Sequence, residues 1–244
     1  MTVILKFGGS VITDKANPGV IRSGVIAELA AAVAAANKPA VIVHGAGSLG
    51  HPEAKAYGIA DGVSKENARG VYVTHTAVSR LNAEVVAALR EAGVEAVSFH
   101  PFSSALAENG RLVFCGEEQI SCLLAAGIIP VLHGDVVLDR TRGGCIVSGD
   151  QIVPYLAKAL HAEAVGIVTA TGGVLADGTI IPEITRETQV AFHSAETADV
   201  TGGMQGKVEE LLALAESGIS SHIFRPEMLA AFLAGNPCGG TLVK

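Results

Sequence analysis

The stretch AVIVHGAGSLGH, residues 40–51, sets Gly45, Gly47 and Gly50 at the spacing G-x-G-x-x-G directly after an apolar, β-branched run. A strand that delivers a glycine loop opens a βα unit, and that unit decides the fold class. Glycine lets backbone approach an anion closely and adopt positive φ, so such a loop offers N–H groups to phosphate. A dinucleotide fingerprint needs more. Its loop leads into a helix, and a second strand ends in an acidic residue about 20 positions on. Here Gly50 is followed by His51-Pro52, and residues 60–70, ADGVSKENARG, are a polar segment opening a long helix. The context argues against a nicotinamide cofactor and leaves phosphate open.

Working outward, short Val- and Ile-rich runs recur at 3–7, 95–99, 128–133, 164–169 and 220–224. They predict buried strands, apolar on both faces. Helical patterns lie between them, one over 23–36 with Ser23 as its cap and a long one from about Lys65 to Glu91. Strand then helix, repeated, gives an α/β fold with a mainly parallel sheet covered on both faces. Hairpins are predicted at 106–114, at 136–148 and around Asp177-Gly178, where polar turn residues separate strand-like arms.

Composition narrows the partners. With 244 residues, 49% hydrophobic and 17% charged, the chain supports one large domain or two lobes sharing a sheet. A formal charge of −7 with 17 scattered Lys and Arg argues against nucleic acid, so cations around an anionic ligand are few and local. The most apolar stretch, 123–132, is too short for a membrane span and reads as a helix end, a turn and a buried strand. No secretory leader is visible, and Cys115, Cys122, Cys145 and Cys238 form no C-x-x-C pair. Structural thiols and a cytoplasmic protein are the expectation.

Two further segments place cations beside glycines. Lys6 lies in the first strand, just before Gly8-Gly9-Ser10, so one strand end delivers an ammonium group and a run of backbone donors. No Walker A pattern occurs. Residues 199–218, DVTGGMQGKVEELLALAESG, place Gly202, Gly203 and Gly206 ahead of Lys207 in the first turn of an amphipathic helix. The helix dipole disfavours a lysine there, which points to an anion nearby. Ser148-Gly149-Asp150 opens another helix. Asp150 reads either as a first-turn carboxylate or as the group that holds phosphate-facing ammonium groups in place.

Together, ILKFGGSVITDK (4–15), VHGAGSLGHP (43–52), IIPVLHGDVVLD (128–139), VSGDQI (147–152) and DVTGGMQGK (199–207) resemble the amino acid kinase superfamily over nearly the whole chain. The GSLGH loop is similar to that of its isopentenyl phosphate kinase branch. The resemblance implies a three-layer αβα sandwich around an open sheet, formed by a single domain over residues 1–244. The acceptor would lie over about 1–160 and ATP over about 161–244, in a homodimer. It implies that Lys6, Gly8, Gly9, Ser10, Gly47, Thr169, Gly203 and Lys207 bind ATP, and that Ala46, Gly50, His51 and Gly149 surround the acceptor phosphate. Lys15 would stabilise the transition state and Asp150 would orient the lysines. Lys6, Lys15, His51, Asp150 and Lys207 form the catalytic set. The implied reaction is ATP-dependent phosphorylation of isopentenyl phosphate to isopentenyl diphosphate in isoprenoid biosynthesis, with Mg²⁺ carried by the nucleotide and no protein metal site.

The chemistry suits these residues. Phosphoryl transfer asks the protein mainly for positioning and charge neutralisation. A phosphate acceptor is already ionised, so no general base is assigned. Of eight histidines only His51 is given a role; His44 and His133 end strands beside glycines, and His75, His100, His161, His193 and His222 read as surface or helix-packing residues. Departures from the family pattern fall at Thr169-Ala170-Thr171-Gly172-Gly173, which lacks two carboxylates, and at Leu49, where an aromatic is common. One face of the long helix, Val71, Thr74, Val78 and Leu81, reads as a bed for a short hydrocarbon or as core. Phosphorylation of another small phosphate or phosphonate such as fosfomycin, and non-catalytic nucleotide or anion binding, are the competing readings.

Overall fold

The computed structural model describes residues 2–14, 16–188 and 203–244. Its strands, in chain order, are β1 (Val3–Phe7), β2 (Ala40–His44), β3 (Ala96–Ser98), β4 (Leu106–Glu108), β5 (Arg111–Phe114), β6 (Ile129–His133) and β7 (Asp135–Asp139). Then come β8 (Gly143–Val147), β9 (Ala164–Val168), β10 (Leu175–Ala176), β11 (Thr179–Ile180), β12 (Glu183–Ile184), β13 (Ser221–Phe224) and β14 (Thr241–Val243). The helices are α1 (Gly9–Ile12), α2 (Ser23–Ala36), α3 (His51–Ala56), α4 (Arg69–Glu91), α5 (Pro101–Ser104), α6 (Glu117–Ala125), α7 (Gly149–Ala159), α8 (Gly203–Ala215) and α9 (Leu229–Leu233).

Eight strands form one sheet in the order β12-β14-β13-β9-β1-β2-β6-β3. Neighbours run parallel except β13 and β14. The chain starts at β1, adds strands on one side through β2, β6 and β3, and returns to the other side at β9. β1 is therefore a topological switch point, and the loops at the carboxyl ends of such strands are where open α/β sheets bind ligands. This is the α/β sandwich expected from sequence.

Alternation along β1 sorts its side chains between two layers. Val3, Leu5 and Phe7 join Ile42 and Val131 in a core closed by α2, α4 and α9. Ile4, with Val41, Val43 and Leu132, faces the layer of α7 and α8, contributing to a core with Ile152, Leu156, Val208 and Leu211. Lys6 shares the face of Ile4, so the strand's period of two aims it at the helices that carry Asp150 and Lys207.

The three predicted hairpins are present as β4–β5, β7–β8 and β10–β11. β4 also pairs with β7, making a small four-stranded sheet. Asp139 staples it, accepting N–H groups of Gly110 at 2.7 Å, Thr141 at 2.8 Å and Arg142 at 2.9 Å. Although burial raises its pKa, those donors outweigh it and hold the carboxyl below the usual range.

Three local readings needed correction and one open alternative was resolved. Helix α2 begins at Ser23 itself, with Arg22 at the cap position, because the Ile26 N–H already reaches the Arg22 carbonyl at 3.1 Å. Lys207 is the fifth residue of α8, one turn further in than its glycine spacing suggested. Thr74, Val78 and Leu81 are buried core of α4, so they offer no open bed for a hydrocarbon. Cys115, Cys145 and Cys238 are buried, whereas Cys122 is exposed on α6. Among the described residues no helix is long and apolar enough to cross a membrane.

Candidate active site

The candidate site lies at the carboxyl ends of β1 and β2. Gly8 closes the end of β1, its N–H donating to the Val168 carbonyl of β9 at 3.0 Å. Gly9 starts α1, and Thr13 ties that turn shut, its hydroxyl donating to the Gly9 carbonyl at 2.7 Å. The second loop leaves β2 at Gly45, whose N–H donates to the Phe7 carbonyl at 3.0 Å. The two loops touch. A Cβ on Gly9 would stand 2.5 Å from the Gly47 nitrogen, and one on Gly45 would stand 2.7 Å from the Gly9 nitrogen. Gly47 has φ +58°, the left-handed region that glycine enters without penalty. Ser48 completes the seam, its N–H donating to the Thr13 hydroxyl at 3.1 Å.

Beneath the seam sits the charged centre. Lys6 Nζ is 2.6 Å and Lys207 Nζ 2.5 Å from the same oxygen, Oδ1 of Asp150. Side-chain exposures of 5% for Lys6, 13% for Lys207 and 15% for Asp150 leave the trio largely shielded from water. Burial raises the Asp150 pKa, but two ammonium groups outweigh that and keep it ionised. Burial is the largest influence on Lys6; Asp150 opposes it and Lys207 adds to it, leaving the ammonium at about 7. Two cations on one carboxylate leave a net positive charge beside the glycine loops, an arrangement suited to a polyanion.

Gly149 opens α7 against this centre, and a Cβ there would lie 3.1 Å from Lys6 Cε. Gly134, after β6, stacks on it, with a Cβ 3.4 Å from the Gly149 nitrogen. Gly50 packs on Val78 of α4, and His51 and Pro52 start α3. The half-buried His51 therefore sits directly after the glycine loop, where its ring can meet an anion held there. Beside the centre opens a cleft of about 530 Å³ whose lining includes Arg111, Arg142, Ser148, Asp150, Gln151 and Gly206.

A sequence profile described as the amino acid kinase family matches residues 1–225. The chain belongs to this family. An isopentenyl phosphate kinase of Haloferax volcanii is 43% identical, covering 99% of this chain and 98% of that relative. One of Methanothermobacter thermautotrophicus is 35% identical, again covering 99% and 98%. A crystal structure described as isopentenyl phosphate kinase superposes with a TM-score of 0.88 at 33% identity, covering all of both chains.

For this amino acid kinase, the structure brings Lys6, Gly8, Gly9, Ser10, Gly45–His51, Gly149, Asp150 and Lys207 to one end of the sheet. Thr169 follows β9 beside Gly8, but its hydroxyl is engaged internally, accepting the Gly172 N–H at 3.1 Å. Gly203 is the first residue of α8. Lys15, Gly202 and His193 lie outside the described residues. Leu49 is buried beneath the loop as core.

Sequence reasoning missed four groups. His75 and His100 are not plain surface histidines: His75 Nδ1 lies 2.8 Å from the buried Asp135 Oδ2, and His100 Nδ1 lies 2.8 Å from His133 Nε2. The Asp135 hydrogen bond raises the His75 pKa against a smaller effect of burial. Arg225 covers Gly172 in the loop that lacks the family's two carboxylates, and Arg111 lines the cleft paired to Glu210 at 2.5 Å. No local motif marks any of these, because each acquires its setting from a segment remote in sequence.

Proposed function

We propose that this chain is an ATP-dependent isopentenyl phosphate kinase, forming isopentenyl diphosphate by in-line phosphoryl transfer. The observation that carries the reading is the pair of ammonium groups sharing Asp150 beneath two touching glycine loops. One loop, Gly8–Ser10, with Lys6 and Lys207, holds the ATP phosphates; the other, Ala46–His51, with Gly149, holds the acceptor phosphate. The acceptor half spans about residues 1–160 and the ATP half about 161–244 of one domain, with Gly47, Thr169 and Gly203 on the nucleotide side.

Bringing two phosphates into line is costly through mutual repulsion, and cations preset in a shielded site offset that cost without reorganising. Asp150 holds both ammonium groups toward one point and leaves them a surplus charge to share with the transferring group. The acceptor is ionised already, so no side chain need remove a proton. Lys15, outside the described residues, is assigned to stabilise the transferring group. Mg²⁺ would be carried by the ATP phosphates and would supply neutralisation of their charge, while Asp150 serves the two lysines.

The partly buried Tyr57, Val71 and Phe102, packed over the buried Ala54, Ile59 and Val136, offer the apolar tail of the acceptor a surface beside α3, which begins at His51. The test is ADP release from Mg-ATP with isopentenyl phosphate, fosfomycin, UMP or no acceptor, with phosphorus NMR of the product. Isopentenyl phosphate is expected to turn over at least about 100-fold faster than the others, the discrimination that apolar burial of a five-carbon tail supplies. Equal rates with fosfomycin, or none with any acceptor, would sink the reading. The chain is further proposed to act as a homodimer, and light scattering that returns the 24.8 kDa of one chain would count against it.

A further inference from the structure

Under the glycine loop lies a buried polar group that the proposed mechanism does not use. His44 and His133 end the paired strands β2 and β6, are both fully buried, and stack with ring centroids 5.4 Å apart. His44 Nδ1 lies 3.1 Å from the Gly45 carbonyl oxygen. A carbonyl only accepts, so this nitrogen carries the proton. The other ring nitrogen then has to accept. Asn82 of α4 supplies that partner: its Nδ2 lies 3.1 Å from His44 Nε2 and 3.1 Å from the Val131 carbonyl. The Val131 contact fixes which end of the amide is nitrogen, and both hydrogens of Nδ2 are thereby committed.

One consequence concerns the peptide between Gly45 and Ala46. In a planar trans peptide the carbonyl and the following N–H point opposite ways. Turning the Gly45 carbonyl down onto the buried imidazole turns the Ala46 N–H up, away from the core. Among the described residues that N–H finds no acceptor. The peptide on the other side of Gly45 is fixed as well, since its N–H donates to Phe7. Asn82 meets its two partners at the expense of its own Oδ1, which is buried with no partner among the described residues. A buried orphan acceptor calls for a reason. Directing the ring's single proton onto Gly45 supplies one.

We propose that His44, locked in its Nδ1–H tautomer by Asn82, is a positioning residue that aims the Ala46 N–H at the acceptor phosphate. The inference rests on the reading of the Ala46–His51 loop as the acceptor site. Burial pushes the His44 pKa down to about 4, so the ring keeps a single proton across the working range of pH. His133 repeats the motif, with Nδ1 3.1 Å from the Gly134 carbonyl and Nε2 accepting from His100.

The test compares His44→Leu, His44→Asn, Asn82→Asp and His51→Ala by steady-state kinetics with isopentenyl phosphate and ATP. Asn places a donor near the position of Nδ1, whereas Leu removes it. Asp at position 82 accepts rather than donates, so at a pH where the ring stays neutral its proton moves to Nε2 and a lone pair turns toward the Gly45 carbonyl. His44→Leu and Asn82→Asp are expected to lower kcat/KM for the acceptor by about 10- to 100-fold, the worth of one hydrogen bond to a charged group, with the KM for ATP within about twofold. His44→Asn is expected to recover most of the loss. If His44→Leu does not fold, the other two substitutions decide. Normal acceptor kinetics in Asn82→Asp beside an impaired His51→Ala would overturn the positioning role and keep the acceptor loop. Equal losses for acceptor and ATP would reduce His44 to a folding role. Normal acceptor kinetics in His51→Ala would overturn the acceptor-loop reading and this inference with it.

Discussion

Asp150→Asn is expected to lower kcat by about 10²- to 10³-fold, because the substitution removes the one group that aims two ammonium ions at a common point. Both Nζ atoms lie within hydrogen-bond distance of a single Asp150 oxygen, and all three side chains are largely shielded. Asn offers a neutral oxygen, so two cations face each other without a counter-charge. Breaking a buried ion pair from one side costs about 3–5 kcal/mol. Here the loss is capped, since Lys6 already sits near 7 and sheds its proton once Asp150 is gone.

The pH dependence follows. Lys6 has its folded pKa depressed from 10.5 to about 7, so between those values the unfolded chain binds more protons than the folded one, and stability from this group rises with pH. Removing Asp150 lowers the folded pKa further and widens that window downward. The variant is expected to be least stable relative to the parent below pH 6 and to close most of that gap as pH rises through 7, above which Lys6 is neutral in both folded states. Mg-ATP should restore part of its stability, since the phosphates replace the missing negative charge. Urea denaturation across pH with and without Mg-ATP, beside kcat at saturating substrates, checks both halves. A kcat within fivefold of the parent would dismiss Asp150 as the organiser of the lysines.

Gly9→Ala carries the second large effect. A methyl group there would meet the Gly47 nitrogen at 2.5 Å and its Cα at 2.7 Å, both backbone atoms that cannot swing aside. The two loops must part, and a displacement of about 1 Å between groups aligned for transfer costs about 100-fold in rate. Gly24→Ala, in α2 with nothing within 4 Å of the added carbon, is the matched control. It is expected to leave activity intact and to add about 0.5–1 kcal/mol of stability. The same kcat/KM for Gly9→Ala and parent would show that the seam between the loops does not set the alignment.

Much of this protein is legible in its sequence. Runs such as Val3–Phe7 and Ala40–His44 are apolar on both faces, which suits a strand only in a covered parallel sheet, and the glycines after them mark where backbone must turn at the strand ends. Asp150 stands out as a charge at a helix opening and Lys207 as a charge after a run of glycines, although the fold sets Lys207 a turn inside α8. A mainly parallel sheet covered on both faces follows from that rhythm, whereas the strand order is supplied by the structure. The sequence therefore determined the fold class and the main cast of the candidate site.

Tertiary structure alone decided who meets whom. Lys6 and Lys207 are 201 positions apart, yet they share one oxygen because strand alternation and the packing of α8 on α7 converge there. The contact of Gly9 with Gly47 depends on the parallel pairing of β1 with β2, and the pairing of His75 with Asp135 depends on where α4 crosses β7. A histidine looks the same in sequence whether it faces water or a buried carboxylate. Its tautomer and charge are set by neighbours that only the folded chain supplies.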